Sequence, residues 1–378
     1  MATINGLRLY PEEAVQNIAT MIRRGTGTNN TYKISQMAAA ISALSNTGGD
    51  ASQFASYLQS GFGIKYSYSS TSKFTSLRPY LFYQAGSSLT AVSYPNVTSV
   101  GTYAFFSCSS LASVYLPNCL TVGSHAFQYC RALSSINLSK VTTGLGTDTF
   151  GGCSVLQSVN LNLCESIPAR CFANLPALSS ISLPNCLYVG ESAFYSCSQL
   201  ASISMLKVSF LDLYAFYSNK VLASVNLPAC IEIGAFVFGS CVNLSSVSLP
   251  ALKSLGYSAF RYCSSLTSIN LPKVEILGHQ GYQFTSCINL HTVDLGSALT
   301  SIPSCCFNSC YNLLSVYLRG SSICQLAYYT SVFKSTPISG YTTSTGGVLG
   351  SIFVPASLVS AYQAATNWVR FSSRITSI

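Results

Sequence analysis

The chain has 378 residues, of which 49% are hydrophobic and 12% aromatic. This content is enough to bury a sizeable core, so a disordered chain is excluded. The formal charge of +9 does not predict a nucleic-acid groove, because residues 89–318 are nearly neutral and the excess of basic residues is scattered over the flanks. No apolar run approaches the ~20 residues that a membrane-spanning helix needs, so membrane insertion is not expected.

Residues 1–48 are predicted to form a short helical hairpin that serves as an attachment segment. The stretch PEEAVQNIATMIR (11–23) has Pro and two Glu at the start of an apolar-periodic helix and Arg at its end, and KISQMAAAISAL (33–44) predicts a second helix. The opening INGLRLYPEEAV resembles the N-terminal segments of prophage tail-associated proteins from gut bacteria. This resemblance implies attachment to virion proteins or to sister chains.

The first residues lack the basic-then-apolar pattern of a signal peptide. We therefore expect a virion-associated protein, or one made in the bacterial cytoplasm without a signal peptide, and a cell-surface or secreted protein is the alternative. Residues 49–88 are predicted to be an N-terminal cap, because the end of a stack of repeats must be covered.

An internal repeat of 22–24 residues dominates residues 89–318. Two ladders of side chains keep this step independently of each other. The first ladder is Leu89, Leu111, Leu133, Leu156, Leu178, Leu200, Leu222, Leu244, Leu266, Leu290 and Leu313, and the second is Phe105, Phe127, Phe150, Phe172, Phe194, Phe216, Phe238, Phe260, Phe284 and Phe307.

The repeat unit reads L-x-S-[VI]-x-L-P, then an apolar stretch ending in V-G or L-G, then A-F and a cysteine. Its alternating start predicts a short strand with one buried face, ended by Pro. The recurring Gly is expected to allow a turn, and the segment with Phe to be a turn of helix or an extended segment. Since one unit cannot bury its own apolar side, about eleven stacked units predict a repeat solenoid with a parallel β-sheet on one face.

This pattern, over about residues 89–320, resembles the BspA-like class of bacterial leucine-rich repeats, and IFVPASLVSAYQAATNWVRFSSRITSI (352–378) is similar to the end segment of such proteins. The resemblance implies a leucine-rich repeat fold without a shared catalytic residue, in proteins described as surface adhesins and ligand-binding proteins. Residues 319–378 are predicted to form a C-terminal cap, in which an amphipathic helix follows Pro355 and Trp368 packs it down.

The 16 cysteines are predicted to pack in the core as small hydrophobic residues. One group closes the repeats, and in two repeats Leu175 and Asn219 take the same position, which a disulfide partner would not tolerate. A few disulfides, or a zinc site at Cys305, Cys306 and Cys310, are the alternatives, but no pair of C-x₂-C motifs is present.

In each predicted strand, the residues between the inward apolar ones must point outward and so form two polar columns. These columns either keep the sheet soluble or bind a glycan or an extended protein, because hydroxyls and amides offer hydrogen bonds and Tyr can stack on sugar faces. The candidate binding face consists of Ser113, Tyr115, Ser135, Asn137, Ser158, Asn160, Ser180, Asn226, Ser268, Asn270, Asp294 and Tyr317. A second aromatic band is predicted beside the Phe ladder, from Tyr103, Tyr129, Tyr195, Tyr217, Tyr257, Tyr262 and Tyr282.

An enzyme is not expected, because the chain has only ten acidic residues and three histidines, and the histidines lie in different repeats. A Cys287–His291 pair can be imagined, but neighbouring repeats carry the same Cys without a His. No cofactor or metal is expected. The sequence predicts a non-catalytic phage or prophage tail-associated protein that binds a cell-surface glycan or protein, and the alternative is a bacterial adhesin that binds host matrix proteins.

Overall fold

The computed structural model describes residues 75–86, 89–327 and 331–378, and the backbone of short strands at 3–4, 7–8 and 66–69. Strands β1 (Thr3–Ile4) and β2 (Leu7–Arg8) pair antiparallel with each other. The helices predicted at 11–23 and 33–44 lie outside the described residues.

The predicted strand of each repeat is present, and these strands stack in parallel along the solenoid. We call the stack the first sheet, and it consists of ladders of two to five hydrogen-bonded strands. Within a ladder, neighbouring repeats pair in register, so that Ser158 lies opposite Ser135 and Asn160 opposite Asn137. The strands of the first sheet are β3 (Tyr66–Ser69), β5 (Leu89–Ser93), β7 (Ser113–Tyr115), β9 (Ser135–Asn137), β11 (Ser158–Asn160), β13 (Ser180–Ser182), β15 (Ser202–Ser204), β17 (Ser224–Asn226), β19 (Ser246–Ser248), β21 (Ser268–Asn270), β23 (Thr292–Asp294), β25 (Ser315–Tyr317), β27 (Ser351–Val354) and β28 (Ile375–Ser377).

A second series of parallel strands runs along the stack, in ladders of four, six and two strands, and was not predicted from the sequence. We call it the second sheet. Each of its strands has two residues, an outward one followed by a buried apolar one, and in seven of the twelve strands the recurring glycine comes next. The strands are β4 (Ser76–Leu77), β6 (Ser99–Val100), β8 (Thr121–Val122), β10 (Gly144–Leu145), β12 (Ser166–Ile167), β14 (Tyr188–Val189), β16 (Phe210–Leu211), β18 (Glu232–Ile233), β20 (Ser254–Leu255), β22 (Ile276–Leu277), β24 (Ser301–Ile302) and β26 (Gln325–Leu326). The fold is thus a parallel-strand β-solenoid of the leucine-rich repeat type.

The segment that carries the Phe is a series of tight turns. In one repeat, Tyr103 and Ser107 adopt left-handed backbone conformations, with φ of 56° and 58°. Such conformations are strained for residues with a side chain. They persist because both N–H groups donate to carbonyls of the next repeat, at Ser124 (3.0 Å) and Gln128 (2.8 Å). Interrepeat hydrogen bonds therefore hold the turns in place as well as the two sheets, and we call this side of the solenoid the turn face.

The Phe ladder forms the centre of the core, as predicted. Its rings stack with centroids 5.0–5.8 Å apart, and Phe82 and Phe333 extend the ten predicted rings at either end. Since repeat geometry is already present at 75–86 and continues into β26 and β27, the stack reaches beyond residues 89–318 on both sides.

The recurring glycine is needed for a reason other than the predicted one. Gly123 and Gly278 do not have positive φ, so the expectation of a special turn conformation was wrong there. A Cβ at Gly123 would lie 2.5 Å from Thr102 N, and one at Gly278 would lie 2.9 Å from Tyr257 N. The glycine is required because the backbone of the preceding repeat passes too close for any side chain.

The C-terminal segment closes the stack with irregular structure. After β27 comes a short 3₁₀ turn, Ala356–Leu358, and then the helix α1, Val359–Ala364, which is shorter than the predicted amphipathic helix. Trp368 is 1% exposed, and its indole N–H donates to Cys324 O at 2.7 Å. The prediction that Trp368 packs this segment down is confirmed.

Candidate functional site

The predicted outward columns lie on the solvent side of the first sheet, and we call this surface the first-sheet face. Its inner partners, such as Ile136, Ile181 and Ile269, are at most 5% exposed, so the alternation of the strands is as expected. The twelve candidate residues are exposed or half-buried: Ser113, Tyr115, Ser135, Asn137, Ser158, Asn160, Ser180, Asn226, Ser268, Asn270, Asp294 and Tyr317.

Several side chains of this face also stabilise the turn that follows their strand. Asn137 Oδ1 accepts a hydrogen bond from the N–H of Ser139 (3.1 Å), and Asp294 Oδ1 accepts one from the N–H of Gly296 (3.1 Å). Asn160 makes the same bond at 3.3 Å. These local bonds give the side-chain oxygens a structural role and leave the Nδ2 donor of each Asn unused.

The two tyrosines of the first-sheet face have different surroundings. Tyr115 is 56% exposed, and no aromatic ring stacks on it among the described residues. Tyr317 is stacked on Phe353 at 4.6 Å, and the Arg319 guanidinium lies 5.2 Å from its centroid. Arg319 also forms an ion pair with Asp294 at 2.7 Å. Tyr115 therefore presents an open ring to a ligand, whereas Tyr317 belongs to a packed cluster.

The tyrosine band predicted beside the Phe ladder lies on the turn face and is divided into two clusters. In the first, Tyr80, Tyr103 and His125 stack at 5.1 and 4.5 Å. Since stacked rings cover one another, their edges rather than their flat faces point to solvent. This arrangement favours hydrogen bonds from the tyrosine hydroxyls and the imidazole nitrogens over the stacking of a sugar on a ring.

Between the two clusters, charged residues take the repeat position of Tyr103 and His125. They are Asp148 and Arg170, which form an ion pair at 2.6 Å. In the second cluster, Tyr214 stacks on Phe236 at 4.7 Å, and the ring of Tyr257 stands edge-on to Phe236 at 4.8 Å. Burial is the main cause that raises the pKa of Tyr214. The band is therefore interrupted by a charged stretch.

The outward side of the second sheet carries an apolar patch that sequence analysis missed. Leu187 and Ile231 are each 47% exposed, and between them Tyr188 stacks on Phe210 at 5.5 Å. The Tyr188 hydroxyl donates to Asp212 Oδ2 at 2.7 Å, and burial followed by this bond raises the pKa of Tyr188 to about 12. With only two residues per strand, the alternation signal that revealed the first sheet was too short to reveal this patch.

The family of the chain follows from its repeats. The sequence matches the BspA type leucine rich repeat region, in six copies, over residues 75–201, 120–233 and 209–339. The chain belongs to this family. No curated protein matches it.

Solved structures with similar folds come from several bacteria. A leucine-rich repeat protein from Bacteroides ovatus is 22% identical, with 65% of this chain and 82% of that chain covered and a TM-score of 0.38. A leucine-rich cell surface protein from Faecalibacterium prausnitzii is 22% identical, with 80% and 82% covered and a TM-score of 0.41. The pneumococcal vaccine antigen PcpA is 15% identical, with 84% and 88% covered and a TM-score of 0.47. None of these similarities says what this chain binds.

The cysteines that close the BspA-type repeats pack in the core, as predicted, and they also donate hydrogen bonds. Each thiol donates to the carbonyl of the Phe in the preceding repeat, at 3.0–3.2 Å. The donors are Cys108, Cys130, Cys153, Cys197, Cys241, Cys263, Cys287 and Cys310. Asn219, which takes the Cys position in one repeat, donates through Nδ2 to Phe194 O at 3.0 Å and so replaces the thiol as a donor. Leu175, in the same position of another repeat, has no such donor.

A second cysteine column has a different role in the BspA-type repeat. The thiols of Cys119, Cys164, Cys186 and Cys230 donate to the carbonyl two residues further on, and Val or Leu takes their place in other repeats. All 16 cysteines are free. Burial raises the pKa of Cys230 to about 12, and it has the same effect on Cys197 and Cys287. Such thiols are poor nucleophiles and poor metal ligands at neutral pH.

The imagined Cys287–His291 pair is not formed. Cys287 donates to Phe260 O at 3.1 Å, and His291 Nδ1 lies 2.6 Å from Asn289 O. The described ranges contain no group of three His, Cys, Asp or Glu side chains that would hold a metal ion. At the former zinc candidate, Cys305 donates to Ser331 Oγ at 2.9 Å, whereas Cys310 donates to Phe284 O.

Leucine-rich repeat proteins of this type are generally non-catalytic binding proteins. Within residues 75–86, 89–327 and 331–378, no helix is both long and apolar enough to cross a bilayer.

Proposed function

We propose that the protein is a recognition protein that binds a cell-surface glycan or protein through the first-sheet face. The observation that supports this most is the pair of outward columns, in which hydroxyl and amide side chains follow one another from repeat to repeat on register-matched strands. Because neighbouring strands lie about 4.8 Å apart, these groups form a regular array of donors and acceptors. Such an array suits an extended ligand with repeating polar groups.

The rigidity of the face favours binding. Its strands are anchored below by buried Val and Ile side chains and held in pairs by parallel register, as between β17 and β19. A ligand therefore meets groups that are already positioned, and little conformational entropy is lost when it binds. Tyr115, at one end, adds an exposed ring that can stack on the apolar face of a sugar.

The finer proposal is a phage or prophage tail-associated receptor-binding protein, with residues 1–48 as the attachment to virion proteins or sister chains. It is supported by the resemblance of the opening sequence, most of which lies outside the described residues. A bacterial cell-surface adhesin that binds host matrix proteins is the alternative. Immunogold labelling of virions and of producing cells separates the two, because the first predicts label on tails and the second label on the cell envelope.

A double substitution of the first-sheet face tests the binding surface. Ser180→Arg with Ser224→Arg puts two large charged side chains on exposed positions of the middle strands. Thr121→Arg with Ser301→Arg is the matched control, since both residues are exposed on the second sheet and the change in charge is the same. We expect binding to bacterial cells or isolated wall polysaccharides to weaken about tenfold or more in the first variant only. Equal binding by both variants and the unmodified protein would exclude the first-sheet face.

A further inference from the structure

A cleft of about 750 Å³ lies at the C-terminal end of the solenoid. Two separate segments build it, one following the last ring of the Phe ladder and the other following Trp368. Its principal lining residues are Lys334, Ser335, Ile338, Arg370, Phe371 and Arg374.

The floor of the cleft is apolar and well packed. Ile338 is 2% exposed and Phe371 6%, and Phe371 stands edge-on to Phe333 at 5.3 Å. The 3₁₀ helix Pro337–Ser339 brings Ile338 into place, and it is fixed by a capping box in which Thr336 and Ser339 bond to each other's backbone. The floor is therefore a rigid continuation of the hydrophobic core.

The walls of the cleft are positively charged and no acid faces them. Lys334, Arg370 and Arg374 all line it, and residues 295–378 contain no Asp or Glu. None of the three forms an ion pair within the part of the chain that the structure describes, whereas Arg170 and Arg319 are each paired with an Asp. Arg370 lies 5.7 Å from the centroid of Phe371, which holds its guanidinium over the floor.

We propose that this cleft binds the carboxylate or sulfate group of an acidic glycan. Converging positive charges above an apolar floor focus an electrostatic field, and guanidinium groups bind carboxylate and sulfate oxygens with two parallel hydrogen bonds. Sugar hydroxyls find partners in Ser335 and Ser373, which also line the cleft. The inference rests on the proposed function, because it assigns the acidic part of a cell-surface glycan to a second site.

The shape and the small number of charges favour this ligand over other polyanions. Nucleic acid is bound by basic residues distributed along a track, and residues 89–318 carry eight basic residues against seven acidic ones. A membrane surface attracts larger clusters of basic residues, whereas only three basic side chains line this cleft. A recess of this volume fits one or a few sugar rings with their anionic group.

The test is a calorimetric titration of the full chain with a short oligogalacturonate, a sulfated dextran oligosaccharide and neutral dextran. Inorganic sulfate, inorganic phosphate and phosphatidylglycerol vesicles are titrated as comparison ligands. We expect one of the two acidic probes to bind in a salt-sensitive way and neutral dextran not to bind. Lys334→Glu and Arg370→Glu, both at exposed positions, are each expected to weaken binding about tenfold or more, and Lys220→Glu on the solenoid body to leave it unchanged. Thermal unfolding of each variant shows whether the fold is intact, and the milder Arg370→Gln replaces Arg370→Glu if it is not.

Three results would overturn the inference. The first is that inorganic sulfate or phosphate binds as tightly as the oligosaccharides, which makes the cleft a simple anion site. The second is that phosphatidylglycerol vesicles bind and the oligosaccharides do not. The third is that the cleft variants and Lys220→Glu bind alike. If cell binding is lost in the Ser180/Ser224 variant but kept in folded cleft variants, the proposed function stands and only the cleft inference fails.

Discussion

The repeat body, residues 89–318, and the C-terminal segment, residues 319–378, obtain order in different ways. In the body, most buried positions recur from repeat to repeat, and each Phe ring stacks on its counterpart in the next repeat. In the C-terminal segment, order comes from single contacts, such as the bond from the Trp368 indole to Cys324. The body is nearly neutral, while the segment has four basic residues and no acidic one. The repeated units thus give the body its stability and a uniform face. The C-terminal segment does not repeat, and it forms the separate basic cleft.

The largest expected effect is in the repeat body. Phe194→Ala removes a fully buried ring with a stacked neighbour on each side, at 5.1 and 5.0 Å. We expect a loss of about 3–5 kcal/mol in the free energy of unfolding, measured by chemical denaturation. A loss below roughly 1 kcal/mol would mean that the ladder is not the centre of the core.

The next effect tests the C-terminal segment. Trp368→Phe keeps a buried aromatic ring but leaves the Cys324 carbonyl without its indole donor. The unfolding free energy should fall by about 1–3 kcal/mol, as is typical for a buried polar group that loses its partner. An unchanged value would contradict the view that single contacts hold this segment.

A smaller effect separates the two cysteine columns. Cys263→Val removes the donor to Phe238 O (3.1 Å) and adds volume, and we expect it to cost about 1–2 kcal/mol. Cys230→Val is the matched control, because Val208 and Leu252 take the equivalent position in the adjacent repeats, and its cost should stay below about 0.5–1 kcal/mol. Equal costs would show that the thiol donor contributes nothing to stability.

The smallest effect on stability is expected on the first-sheet face. Tyr115→Ser changes a residue that is 56% exposed, so the unfolding free energy should move by no more than about 0.5 kcal/mol. Binding to a glycan or cell surface should nevertheless weaken, as measured by surface plasmon resonance. If affinity is unchanged, the open ring at this end takes no part in recognition.

The parts of the molecule that repeat were predictable from the sequence. The Phe ladder, the strand with one buried face and the Ser and Asn columns follow from one period, because stacked copies place like residues together. The second sheet was missed because two residues do not make an alternating pattern. The thiol donors were missed because a buried Cys cannot be told from a buried Val by its place in a sequence pattern. The hydrogen bond is recognised only when the structure places an acceptor beside the thiol, as it places Phe105 O beside Cys130.

The C-terminal cleft was also beyond sequence reasoning, for a physical reason. Lys334 and Arg370 come from separate segments that no repeat relates, and they meet only because the chain folds back after β27 to pair β28 beside it. The absence of acids beyond Asp294 was visible in the sequence, but the convergence of the basic side chains was not.

Recognition through the first-sheet face is tested by a binding screen of the purified full chain against gut bacterial cells, their wall polysaccharides and host matrix proteins. The Ser180/Ser224 variant and its Thr121/Ser301 control are measured beside it. We expect saturable binding to at least one cell surface or polysaccharide, lost in the first variant and kept in the control. Binding that is absent from every surface, or present and equal in all three proteins, would contradict recognition through the first-sheet face.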